Sequence, residues 1–237
     1  MPRTPHVDVL GQDQDVPARA VVLVLPGGRQ YGYSRVHRGR LSYLRMVRFG
    51  RAIAGAGKPH DVRVWMLRYR YRGWNAPALH PVEDASWALE RIRERHGDVP
   101  VVLVGHSMGA RVAFRVAGDP SVCAVCALAP WTEGGEPVEQ LTGRTVLIAH
   151  GDAERMTDPS LSYSYAVRAK QVTDRVCRFD VHGDGHAMLR RAADWTRLVC
   201  GFVLGELGIE PVPQSIANAL VQPSPDGLRV PLAKGAG

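Results

Sequence analysis

Short apolar runs alternate with segments of helical period along most of this chain. Ala20–Leu25, Val62–Leu67, Val101–Val104, Val122–Leu128, Thr145–Ala149 and Val176–Val181 are apolar with little interruption. That is the pattern of strands covered on both faces rather than on one. Between them lie segments with apolar residues at helical spacing. Pro81–His96 places Val82, Ala85, Leu89 and Ile92 on one face, with Pro81 suited to a first turn. Ser107–Ala117 carries Ala110, Ala113 and Ala117 on one side, small enough to let a helix approach a sheet. Leu41–Ala56 reads as a helix with an imperfect stripe. Pro159–Ala169 reads as another, and Met188–Leu207 as a third, with Leu189, Ala192, Thr196, Val199 and Val203 aligned. Strand–helix alternation predicts an α/β fold, a mostly parallel central sheet with helices on both faces. It fills a single domain over residues 1–209. Residues 210–237 differ, holding five of the 17 prolines, and are expected to form an irregular extension along the surface.

The feature of this pattern that carries chemistry is the run Val101-Val-Leu-Val-Gly-His-Ser-Met-Gly109. A strand that ends in G-x-S-x-G and passes directly into a helix is the context of a nucleophile elbow, which nominates Ser107. A serine hydroxyl is a weak nucleophile at neutral pH, so it needs a base, an acid to orient that base, and donors for an oxyanion. All should stand at the carboxyl ends of strands. The base is expected late in the chain, where Val181-His-Gly-Asp-Gly-His186 offers His182 and His186. His186 follows Gly185 and precedes the last helix, so it is the favoured base, while His182 still abuts the strand. The acid is expected after Thr145–Ala149, where Asp152, Glu154 and Asp158 all stand and spacing does not choose among them. Asp158 before Pro159 also suits a helix cap. The amide of Met108 is one expected oxyanion donor. The second comes from Pro26-Gly-Gly-Arg29, with Gly28 preferred and Arg29 the alternative. His106 and His150 are expected to orient neighbouring backbone.

Composition changes this picture in one respect. The net charge is +7, yet residues 29–72 hold 12 Lys/Arg against one acid, Asp61. Only three of the 30 basic residues are lysines, so the excess is arginine. Beside a catalytic site such a stretch points to a small acyl substrate that is anionic or carrier-bound. No recognition motif accompanies the charge, which argues against nucleic acid. The four cysteines include Cys123 and Cys126 as C-x-x-C, but a strand turns those positions to opposite faces, and no second pair completes a zinc set. They are expected to be buried thiols, with no metal and no cofactor implied. The absence of a long apolar run or signal-like start predicts a cytoplasmic protein that does not enter a membrane.

Leu25-Pro-Gly-Gly28, Gly105-His-Ser-Met-Gly109, His150-Gly-Asp-Ala-Glu154 and Gly185-His186 together resemble the α/β-hydrolase superfamily, in particular small, nearly capless esterases related to dienelactone hydrolases. The likeness covers about residues 18–207. It implies an α/β-hydrolase fold with a shortened N-terminal edge, since few residues precede Ala20. The family writes its acid as His-Gly-x-x-Asp, a register that falls on Glu154; Asp152 stays open as a substitute. Many members insert a large cap where this chain has only Pro130–Leu141, so a short or absent cap follows, with Trp131 and Arg29 as candidate walls of the pocket. The implied activity is hydrolysis of an ester, thioester or lactone through an acyl-enzyme. Haloalkane dehalogenases and epoxide hydrolases carry Asp at the elbow, so Ser107 argues against both. An acyltransferase or peptidase would use the same residues, and an inactive ligand- or partner-binding relative is the reading from outside catalysis.

Overall fold

The computed structural model describes residues 3–11 and 17–235. Eight strands form one sheet in the order β1-β3-β2-β4-β5-β6-β7-β8. The strands are β1 (His6–Leu10), β2 (Ala20–Leu25), β3 (Val62–Arg68), β4 (Val101–His106), β5 (Val122–Leu128), β6 (Thr145–Gly151), β7 (Val176–Val181) and β8 (Val230–Pro231). Only β1 runs antiparallel, paired to β3 with His6 opposite Arg68. The N-terminal edge is thus a single five-residue strand, in keeping with the shortening expected.

The near-continuous apolar runs have a simple cause. Every residue of β2, β4 and β6 is buried, because helices cover the sheet from both sides. Alternate side chains of one strand enter different cores: Val21, Leu23 and Leu25 of β2 pack in one, Val22 and Val24 in the other. On the first face lie α2 (His80–His96), α3 (Met108–Val116) and α4 (Pro159–Ala169), contributing Leu89, Ala113 and Tyr165. The second face carries α1 (Leu41–Gly57), α5 (Ala192–Glu206) and α6 (Gln214–Val221), contributing Phe49, Val199 and Ile216. The imperfect stripe of α1 is resolved by Tyr43, Met46, Phe49 and Ile53, which face inward while Leu41 and Leu44 stay exposed.

Three expectations need correcting. The tail is not irregular throughout: α6 buries Ile216, Ala219 and Leu220, Leu228 is fully buried, and β8 pairs with β7 from Phe179 opposite Val230. Its prolines bound these elements instead of preventing them. The last long helix begins at Ala192, not Met188. The buried carboxylate of Asp184 accepts the amides of Arg191 at 2.9 Å and Arg190 at 3.4 Å, which wraps the preceding segment into a loop. Ser107 stands outside α3, for a reason that belongs to the site.

Between β5 and β6 the chain forms a loop with one 3-10 turn, Glu139–Leu141, and no inserted cap. Cys126 and Cys177 are fully buried, whereas Cys123 and Cys200 are half-buried, and all four are free thiols. No helix among the described residues is long and apolar enough to cross a membrane.

Candidate active site

The parallel strands deliver their carboxyl ends to one edge of the sheet, and the chemistry collects there. Ser107 links β4 to α3 with φ 55° and ψ −119°, a left-handed conformation that a side chain rarely adopts. Its amide donates to the Leu128 carbonyl at 3.0 Å, and its carbonyl accepts from Ala110, Arg111 and Trp131 at 3.1–3.2 Å. These bonds hold the strained turn. The flanking glycines are there for space. A Cβ on Gly109 would lie 2.0 Å from the Leu25 carbonyl oxygen, and one on Gly105 would lie 2.4 Å from that of Gly109.

His186 sits on the loop after β7 and directs Nδ1 at Glu154 Oε2, 2.7 Å away. His186 lines a cleft together with Ser107. The Glu154 side chain has no exposed surface. Burial alone would push its carboxyl up. The hydrogen bond from His186 and the amides of Met156 and Arg155 outweigh that and hold it down at about 2. Asp152, the substitute acid, points elsewhere: its Oδ2 meets His182 Nδ1 at 2.9 Å, and its Oδ1 accepts the Gly183 amide at 2.7 Å. That second pair lies in solvent, with His182 60% and Asp152 49% exposed. Asp158 caps α4 by accepting from the Ser160 amide at 2.8 Å.

The two loops are laced together. The Ala153 amide donates to the Asp184 carbonyl at 3.0 Å, and a Cβ on Gly151 would come within 2.2 Å of that same oxygen. Asp184 fixes the base loop to α5 by accepting from the Gly185 amide at 2.8 Å and from Trp195 Nε1 at 3.0 Å. Sequence reasoning missed this anchor; a carboxylate between two glycines beside the base was its only trace. His106 Nε2–H donates to the His186 carbonyl at 3.0 Å, and burial keeps this imidazole neutral. His150 is also buried and pushed down to about 4, chiefly by burial and then by Arg178. It contacts Ser162 Oγ at 2.9 Å and Thr157 Oγ1 at 3.2 Å, and stands 3.9 Å from Glu154. Both histidines therefore steady the loops that carry His186 and Glu154.

The loop after β2 faces the elbow. The Arg29 amide donates to the Arg72 carbonyl at 3.0 Å, whereas the Gly28 amide has no backbone partner among the described residues. A Cβ on Gly28 would lie 2.4 Å from Met108 Sδ and Cε, so only glycine brings this backbone so near the elbow. Met108 opens α3, where first-turn amides have no partner within the helix. Asn75, unforeseen from sequence, ties this loop down: its Oδ1 accepts from the Gly32 amide at 2.9 Å. The cleft of about 530 Å³ is lined by Gly28, Arg29, Tyr31, Ser107, Trp131 and His186 among others. Tyr31, Gln30 and Trp131 also border a neighbouring recess of about 390 Å³. There the Arg111 guanidinium lies 4.4 Å from the Trp74 ring and 4.7 Å from that of Trp131.

Residues 21–235 match the alpha/beta hydrolase family. No curated protein matches the chain. Solved structures do. One is Est1E from Butyrivibrio proteoclasticus, at 13% identity and a TM-score of 0.61, over 86% of this chain and 94% of that one. Another is XC6422 from Xanthomonas campestris, described as an a/b serine hydrolase without lid, at 18% identity and a TM-score of 0.58, over 82% and 86%. A third is an alpha-beta serine hydrolase homologue from Coxiella burnetii, at 17% identity and a TM-score of 0.57, over 83% and 90%. At these identities the likeness is one of fold.

Proposed function

The chain belongs to the alpha/beta hydrolase family, and from that premise we propose that it is a serine hydrolase cleaving an ester, thioester or lactone through an acyl-enzyme on Ser107. One observation carries this reading: the buried contact of His186 Nδ1 with Glu154 Oε2 at 2.7 Å, on an imidazole that shares a cleft with Ser107.

Glu154 holds the Nδ1–H tautomer, which leaves Nε2 with a lone pair. Ser107 Oγ attacks the acyl carbon, and its proton passes to Nε2. The imidazolium that forms is stabilised by the Glu154 carboxylate, which stays ionised. Negative charge gathers on the carbonyl oxygen, within reach of the Met108 and Gly28 amides. Preorganised donors of this kind are each worth roughly 3–4 kcal/mol in the transition state. The tetrahedral intermediate collapses, and Nε2–H protonates the departing alkoxide or thiolate. Water then enters, loses its proton to the same nitrogen and releases the acid. With no cap over it, the cleft admits water and substrate directly.

The test is turnover of p-nitrophenyl acetate together with labelling by a fluorophosphonate. The expected result is Ser107-dependent turnover and a label that disappears in Ser107→Ala. Turnover unchanged in that variant would overturn the assignment.

A further inference from the structure

The recess of about 390 Å³ beside the catalytic cleft is built into the elbow itself. Gln30, Tyr31 and Trp131 line both spaces, so one continues into the other. Ser107, His186, Met156 and Thr157 line the cleft but not the recess, which therefore extends it on the side away from His186. The Arg111 and Trp131 amides both donate to the Ser107 carbonyl at 3.2 Å, which fixes these two residues relative to the Ser107 turn. Their side chains meet in the recess. The Arg111 guanidinium packs on the Trp131 ring and on that of Trp74, and the two indoles stand 6.1 Å apart, edge to face. The opposite wall is tied to the loop after β2. There the Trp74 amide donates to the Arg29 carbonyl at 2.8 Å, and the Asn75 amide to the Gln30 carbonyl at 3.0 Å. Ala76, Pro77 and Leu79 make that wall apolar.

The charges of the recess cancel. Glu136, whose side chain has no exposed surface, pairs with Arg111 at 2.6 Å and also with Arg115, and Glu133 pairs with Arg111 at 2.9 Å. A carboxylate entering here would have to separate a buried ion pair, which is strongly unfavourable. A cation would meet only acids already paired with arginine. What is left for a ligand is two indoles, a guanidinium plane held against them and three apolar side chains. A flat uncharged ring suits that surface, since it packs edge to face or offset on indole and stacks on a guanidinium.

We propose that this recess takes an uncharged aromatic ring on the acyl side of the substrate, so that Trp74, Arg111 and Trp131 select aryl-substituted acyl groups. The side follows from the reaction. His186 protonates the leaving group, so the alcohol or thiol departs toward His186, and the acyl chain extends from Ser107 the other way, past Trp131. The inference deepens the hydrolase reading and rests on it for the chemistry at Ser107, whereas binding of the ring needs no turnover.

Two isomeric esters separate the two sides: methyl 3-phenylpropionate carries its ring on the acyl group, and 2-phenylethyl acetate carries it on the alcohol. Methyl hexanoate and monomethyl succinate are the aliphatic and anionic counterparts. With acid release read at constant pH, kcat/KM for methyl 3-phenylpropionate is expected to exceed each of the other three about tenfold or more. Trp131→Ala removes one indole, and Ala76→Trp fills the recess from its rim. Each should lower the ratio of phenylpropionate to hexanoate at least fivefold, and Trp131→Phe should bring it back within about twofold of wild type. Calorimetric titration with 4-phenylbutan-2-one, a ketone with no leaving group, should show binding at least fivefold tighter than that of heptan-2-one, a difference lost in Trp131→Ala. Equal rates on hexanoate, a preference for succinate or for 2-phenylethyl acetate, or a ratio that neither Trp131→Ala nor Ala76→Trp moves would each overturn the subsite. Ketone binding that Trp131→Ala abolishes, with no Ser107-dependent acid release from any ester, keeps the recess and removes the hydrolase. Ser107-dependent release without discrimination among the esters removes the recess alone.

Discussion

Two histidine–carboxylate pairs stand on the same two loops, the histidines four residues apart and the carboxylates two, and their hydrogen bonds are nearly alike. His186 meets Glu154 at 2.7 Å, and His182 meets Asp152 at 2.9 Å. Their surroundings are opposite. Glu154 has no exposed side-chain surface and His186 has 10%, whereas Asp152 and His182 are about half in water. A charge pair in water is screened and contributes little; the same pair away from water fixes an orientation and a protonation state. Glu154 also accepts from the amides of Arg155 and Met156, which lock its position independently of the histidine. A short contact therefore does not identify a catalytic pair. Enclosure and a cleft shared with Ser107 set the first pair apart.

The comparison breaks most readily at its catalytic end. Ser107→Ala, or His186→Ala, should lower kcat by roughly 10³–10⁶-fold against a p-nitrophenyl ester, with little change in melting midpoint. Glu154→Gln should lower kcat by about 10³–10⁴-fold, because the neutral amide no longer holds the required tautomer or stabilises the imidazolium. The buried scaffold comes next. Asp184→Ala leaves the Trp195 Nε1–H and the Gly185 and Arg191 amides without their acceptor. It should cost about 2–4 kcal/mol in denaturant unfolding, read as a lower midpoint.

Acid titration sharpens the difference further. The Glu154 carboxyl is held at about 2 in the folded chain, below its ordinary 4.5. Its contribution to stability is therefore complete above about pH 4.5 and is lost as pH falls toward 2. Denaturant unfolding across that window should be steeper in wild type than in Glu154→Gln. The smallest effect belongs to the exposed pair: Asp152→Asn and His182→Ala should each keep activity within about twofold and stability within about 0.5 kcal/mol. A loss from Asp152→Asn comparable to that from Glu154→Gln would reverse the assignment of the acid.

Much of this layout was legible in the chain. Apolar runs marked every long strand, because a sheet covered on both faces admits few polar residues. The elbow was legible because a strained turn between strand and helix needs glycine on either side, at Gly105 and Gly109. The acid was harder. Asp152 and Glu154 both follow β6 on one loop, and spacing carries no information about which of two carboxylates turns inward. Asn75 was not legible, and Asp184 only as a carboxylate between two glycines. Asn75 bonds the backbone of a loop distant in sequence, and Asp184 gathers the amides that follow it and the Trp195 indole, bonds that leave no periodic trace. The tail departs from the irregular chain its prolines suggest: Pro213 precedes α6 and Pro231 lies within β8, and neither prevents its element.

By itself the sequence determined the parallel sheet, the strand-to-helix turn at Ser107 and the histidine on the loop after β7, since each follows from local pattern and backbone chemistry. Tertiary structure decided the rest. It turned Glu154 inward and Asp152 outward, engaged the Arg29 amide while leaving the Gly28 amide without a backbone partner among the described residues, and paired Arg68 and Arg70 with the buried carboxylates of Asp8 and Asp84. Those outcomes depend on which loops meet across the sheet edge, and burial and charge balance at that edge are properties of the assembled chain rather than of any segment of it.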